Sequence, residues 1–96
     1  MNIEITSSHF TPSEELKILV KQKLAKLDKV NISLTRCNVI LSKENRLEES
    51  AEIIAHSKGH EFIAHDNSSI FEKSLAACVN KLSIQFKKQH DRIGDH

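Results

Sequence analysis

The sequence is poor in residues on which many binding and catalytic devices depend. Its 96 residues include two glycines, one proline, two cysteines, and no tryptophan or tyrosine. Gly59 and Gly94 stand alone, so neither a Walker loop nor a GxGxxG turn is present, which excludes the commonest phosphate-cradling nucleotide sites. Cys37 and Cys78 are distant and unpatterned. They form no disulfide framework or zinc motif and point to a reducing, cytoplasmic setting. No apolar run approaches the roughly 20 residues of a membrane span. Met1-Asn2-Ile3-Glu4 lacks the basic and apolar regions of a secretory signal. The four aromatics, Phe10, Phe62, Phe71 and Phe86, make no RNP1 signature, and no GXXG loop occurs. A base-stacking sheet of the RNA-recognition type is therefore not expected.

What is present suffices for one small domain spanning residues 1–96, with 39% hydrophobic and 28% charged residues. Residues 2–7 alternate as a strand, with Ile3 and Ile5 against Glu4 and Thr6. Thr11-Pro12-Ser13-Glu14 reads as a capping box with proline at the first helical position, which predicts a helix over residues 12–28. Its apolar stripe is Leu16, Leu19, Val20, Leu24 and Leu27. Residues 32–43 read as a strand, with Cys37, Val39 and Leu41 on one face and Leu34, Arg36, Asn38 and Ile40 on the other. The polar stretch 44–50 predicts a loop. Strands at 51–57 and 60–65 flank a Lys58-Gly59 turn. Ser69 and Glu72 suggest a second capping box opening a helix over residues 69–90, with Phe71, Leu75, Cys78, Val79, Leu82 and Phe86 as its stripe and Gly94 at its end or in a tail. The order β-α-β-β-β-α predicts an α+β fold: a four-stranded sheet, its first two strands parallel, with both helices on one face.

The formal net charge of +1 conceals an uneven distribution. Residues 1–30 carry five bases and four acids, residues 31–66 four bases and six acids, and residues 67–96 five bases and three acids. Acids open each helix and lysines follow, a polarity that the helix dipole alone explains. It does not explain azimuth. At about 100° per residue, Lys81, Gln85, Lys88 and Arg92 form one line beside the second apolar stripe, while Gln22, Lys26 and Lys29 flank the first. Lys23 falls within its stripe. Its stem either snorkels past the core edge to water, or it points into a groove between the helices, where two basic flanks would track phosphates.

The other polar residues suggest no catalytic or metal centre. The six histidines match no ligand spacing such as H-E-x-x-H. Cys78 lies on an apolar stripe and Cys37 beside Val39, as small core residues do. Glu48-Glu49 reads as loop solvation. No enzyme activity, cofactor or metal is expected.

Several segments together carry a family likeness. They are Asn2-Ile3-Glu4-Ile5-Thr6, Leu16-Lys17, Lys23-Leu24-Ala25-Lys26-Leu27, Ala51-Glu52, Gly59, Ala64, and Lys81-Leu82 with Gln85 and Lys88. Over nearly its whole length the chain resembles the short-form ribosome hibernation promoting factors, a family that includes ribosome-associated inhibitor proteins. The resemblance implies a fold like that of double-stranded RNA-binding domains. It also implies binding to the small ribosomal subunit near the decoding centre, which blocks messenger and transfer RNA and inhibits translation in stationary phase or stress. Contacts to ribosomal RNA would fall on Lys23, Lys26, Lys81, Lys88 and Arg92. A second hibernation factor is a further candidate partner. No membrane partner is expected, and off the ribosome the protein is expected to be a monomer.

The sequence departs from the family at the entry to the second helix, where Asn67-Ser68-Ser69-Ile70-Phe71 replaces an Asp-Met-Tyr type, which removes a contact or changes a cap. The second helix also carries fewer lysines than strongly basic members. Neither the C-terminal dimerisation domain of long forms nor the tail of other short ones is expected, so the chain is not expected to pair ribosomes through a domain of its own. Two alternatives are a general double-stranded RNA-binding or RNA-chaperone domain, and a protein-interaction regulator acting through an open sheet face bearing Leu34, Ile40 and Ile54.

Overall fold

Alternating apolar residues in four strands build one wall of the core, and two helical stripes close it. The computed structural model describes residues 1–29 and 33–94. Strands β1 (Asn2–Ser8), β2 (Leu34–Asn45), β3 (Glu48–Ser57) and β4 (His60–Ser68) form a sheet in that order. β1 is parallel to β2, and β2, β3 and β4 form an antiparallel meander. Helices α1 (Glu14–Leu24) and α2 (Phe71–Gly94) pack against each other on one face, α2 lying over β3 and β4. This is the α+β architecture that the element order predicts.

Cys37, Val39 and Leu41 of β2, Ala51, Ile53 and Ala55 of β3, and Phe62 and Ala64 of β4 are buried with Val20, Leu24, Leu75, Cys78, Leu82 and Phe86. Phe62 and Phe86 meet edge to face, with centroids 4.8 Å apart, a favoured aromatic geometry. Gly59 takes φ +81°, so the two-residue Lys58-Gly59 connection needs no Cβ in the left-handed region.

Several boundaries differ from the sequence expectation. The first helix is capped by Ser13, whose Oγ accepts the Leu16 N–H at 3.1 Å. Thr11 and Pro12 therefore precede it, and Glu14 pairs with Lys17 at 3.2 Å instead of closing a capping box. Regular α-helix stops at Leu24 and tightens into a 3-10 turn over Ala25–Lys29 that buries Leu27. The predicted start of the second strand at residue 32 lies outside the described residues.

The predicted loop 44–50 is mostly strand. Only Arg46 and Leu47 turn, with Asn45 Oδ1 accepting the Leu47 N–H at 2.7 Å. The pairing there joins polar residues, Lys43 with Glu49 and Asn45 with Glu48, so no hydrophobic alternation announces it. Leu34 packs against the core instead of sharing the face of Arg36 and Ile40, because a register irregularity between Leu34 and Arg36 breaks the alternation.

α2 begins at Phe71, after Ser69, and the expected Ser69–Glu72 capping box is absent from the observed hydrogen bonds. The Phe71 N–H donates instead to Glu49 Oε1 at 2.9 Å, and buried Ser74 donates its Oγ–H to the Glu49 carbonyl at 2.6 Å. Lys43 holds the other carboxylate oxygen at 3.8 Å. Glu49 is thus a long-range cap tying α2 to the β2–β3 hairpin, not loop solvation. Replacing Glu49 by Ala should lower unfolding free energy by about 1–2 kcal/mol, the usual cost of losing a cap; urea denaturation measures it, and an unchanged midpoint would contradict the capping role.

Candidate functional site

The candidate site is the lysine-bearing helical layer. A cleft of about 410 Å³ is lined by Ser13 and Leu16 at the start of α1 and by Ile70, Phe71 and Glu72 at the start of α2. The two N-terminal ends therefore lie together and the helices run in the same general direction. At 1.5 Å per residue, Lys23 stands about 14 Å along α1 and Lys81 about 15 Å along α2. The acid-free lysine stretches of both helices consequently share one end of the layer. The carbonyl end of α1 adds partial negative charge there, which Lys21 and Lys23 in its last turn offset.

The individual lysines differ in setting. Lys23 is half-buried between fully buried Val20 and Leu24, while Lys26 and Lys88 are exposed. Among the described residues no carboxylate lies within salt-bridge reach of these three. The ammonium of Lys81 is 3.2 Å from the Asp66 carboxylate and donates to the His65 carbonyl at 2.8 Å. Gln85 donates to the Ile63 carbonyl at 2.9 Å, and Gln89 lies 3.1 Å from the His60 ring. Arg92 stands in the last turn of α2, and its side chain lies outside the described residues.

These contacts correct the expected groove. His60, Ile63, His65 and Asp66 all belong to β4, one of the two edge strands. The Lys81–Gln85 flank therefore lies along the sheet edge, away from α1, and does not face Lys23 across an interhelical groove. Its side chains occupy acceptors on that edge, one way a protein blunts an unpaired strand. Lys87, exposed and about 120° around the axis from Lys81, points off the β4 flank. Sequence reasoning passed over it because it is off the Lys81–Lys88 line; only the placement of α2 beside β4 reveals which flank is which.

The thiols are unsuited to nucleophilic work. Burial pushes Cys37 up to about 11, with the Asp28 charge adding to the effect. Burial likewise pushes Cys78 up to about 11, helped by Asp66. Both stay protonated near neutrality, and thiolate is the reactive form. Among the described residues no cluster of three or more His, Cys, Asp or Glu side chains is placed to hold a metal ion. No described helix is long and apolar enough to cross a membrane.

The family model described as "Sigma 54 modulation protein / S30EA ribosomal protein" matches residues 3–94. Among solved structures, a ribosomal subunit interface protein from Coxiella burnetii superposes with a TM-score of 0.81 at 21% identity, over 95% of this chain and 99% of that one. The Protein Y N-terminal domain from Thermus thermophilus gives 0.82 at 23% identity, over 92% and 98%. At these identities the structural matches establish the fold. No curated protein sequence matches significantly.

Proposed function

The chain belongs to the Sigma 54 modulation protein / S30EA ribosomal protein family, with the role of a ribosome hibernation factor, and from that premise we propose that its helical layer binds ribosomal RNA of the small subunit. The ribosome is its partner. The decoding region is the proposed place of binding, where occupancy alone excludes messenger and transfer RNA and no bond is made or broken. The work is accordingly non-enzymatic and cytoplasmic, and belongs to stationary phase or stress.

The observation that carries this reading is the helical layer itself, along which α1 with its 3-10 extension and α2 each carry an acid-free lysine stretch. Lys23, Lys26 and Lys88 are free ammonium groups on it among the described residues, joined by Lys87. Lys81 contributes from the β4 flank after exchanging Asp66 for a phosphate. The absence of aromatic side chains from this set favours recognition of backbone shape over base identity. A general duplex-RNA binder shares these features, and competition between free duplex RNA and small subunits separates the two.

Counterion release makes phosphate binding salt-dependent. Co-sedimentation with small subunits should fall by about a hundredfold or more in affinity between about 50 and 200 mM salt if four or so phosphates are contacted. Binding that ignores salt would overturn the proposed interface.

A further inference from the structure

The face of the sheet turned away from the helices has a different chemistry. Cross-strand register places Asn2, Arg36, His56 and Glu61 in one row, Glu4, Asn38, Ile54 and Ile63 in the next, and Thr6, Ile40, Glu52 and His65 in a third. Ile54 and Ile63 are directly opposed, and Ile40 sits diagonally beside Ile54. Ile63 is 50% exposed, whereas Ile40 and Ile54 are half-buried. The three isoleucines form a contiguous apolar centre. Glu4, Glu52 and Glu61 surround it, with Arg36 as the only Lys or Arg in these rows.

The face is thus apolar in the middle, acidic at the rim and free of phenylalanine, with His56 and His65 as its only rings in these rows. Phe62, Phe71 and Phe86 are in the core on the other side of the sheet, and Phe10 packs against that core. RNA is a poor fit, because three carboxylates repel phosphate and no Phe, Tyr or Trp ring is available to stack a base. An apolar centre with a polar rim is the arrangement of a protein interface. Two shielded polar atoms without hydrogen-bond partners, Asn38 Oδ1 and His56 Nε2, also lie on these rows. Buried polar atoms without a partner are uncommon in folded proteins.

We propose that this sheet face is a second docking surface, one that takes a lysine- or arginine-rich protein segment carrying aliphatic side chains. The aliphatic groups pack on Ile40, Ile54 and Ile63, and the cations meet Glu4, Glu52 and Glu61. The molecule would then be two-sided, with basic helices toward RNA and an acidic sheet toward protein. The surface is independent of the lysine layer, so its failure and that of the RNA-binding reading are separable.

The test is an amide NMR titration of the intact protein with three short synthetic peptides: lysine–leucine, lysine–serine and glutamate–leucine. The lysine–leucine peptide should shift the amides of Ile40, Glu52, Ile54 and Ile63, with the other two binding about tenfold more weakly. Glu4→Lys with Glu52→Lys should weaken the lysine–leucine peptide by about tenfold, while small-subunit co-sedimentation persists. Ile63→Ser, a change at an exposed position, should weaken it without loss of fold. Shifts confined to the helices, equal binding of all three peptides, or no binding would each overturn the proposal. Protection of this face by duplex RNA would instead assign it to RNA.

Discussion

Replacing Lys23, Lys26, Lys81 and Lys88 together by Ala is expected to weaken small-subunit binding by roughly a thousandfold near 0.1 M salt. Each phosphate contact contributes a salt slope of about 0.7–0.9 through released counterions. Losing four should flatten log affinity against log salt by roughly three units. Near 0.1 M salt each contact is then worth somewhat under tenfold, which gives the stated loss. Lys81 should contribute least of the four, because its ammonium must first leave Asp66 at 3.2 Å and the His65 carbonyl at 2.8 Å. Lys26 and Lys88 are exposed and Lys23 half-buried, so their truncation should leave the circular dichroism spectrum intact. Wild-type affinity with an unchanged salt slope would show that these side chains do not meet phosphate. Adding Lys87→Ala should weaken residual binding further, because it is an exposed ammonium in the same lysine stretch.

Phe86→Ala should be the most damaging single change to the fold. Phe86 is fully buried, and its ring meets Phe62 edge to face at 4.8 Å. Truncating such a ring removes transfer energy, leaves a cavity and breaks an aromatic pair, a loss of about 3–5 kcal/mol. Small domains are held by only about 5–15 kcal/mol in total. With about 4–8 °C of Tm per kcal/mol at this size, a fall of 15 °C or more is expected in thermal denaturation. A loss below about 1 kcal/mol would be incompatible with a tightly packed Phe86. Because α2 carries most of the candidate lysines, this variant should also lose ribosome binding at temperatures where it unfolds, while the lysine variant loses binding with its stability retained.

Much of the architecture was legible in the sequence because its signals are local. Leu16, Leu19, Val20, Leu24 and Leu27 recur with the period of one helix turn, and all are buried or packed against the core. Gly59 marks the β3–β4 turn because a left-handed residue there favours the side chain that is missing. The family likeness added what periodicity cannot, a ribosome as partner. The β2–β3 hairpin end was not legible. Its strands extend through Lys43, Asn45, Glu48 and Glu49, polar residues with no buried face to impose alternation. Glu49 was hidden for the same reason: its partner Phe71 lies 22 residues away, and no local motif encodes a cap drawn from another strand.

The sequence by itself determined the element order, the two apolar stripes and the azimuth of each lysine on regular α-helix relative to its own stripe, since these follow from backbone period and side-chain hydrophobicity; Lys26 and Lys29 fall instead on the 3-10 turn. Only the tertiary structure decided what each flank faces. An azimuth is measured within one helix, whereas neighbours depend on which strand lies beneath it. Placing α2 over β3 and β4 turned Lys81 and Gln85 to the sheet edge, brought the helix starts together at one end, and left Ile40, Ile54 and Ile63 among carboxylates on the opposite face.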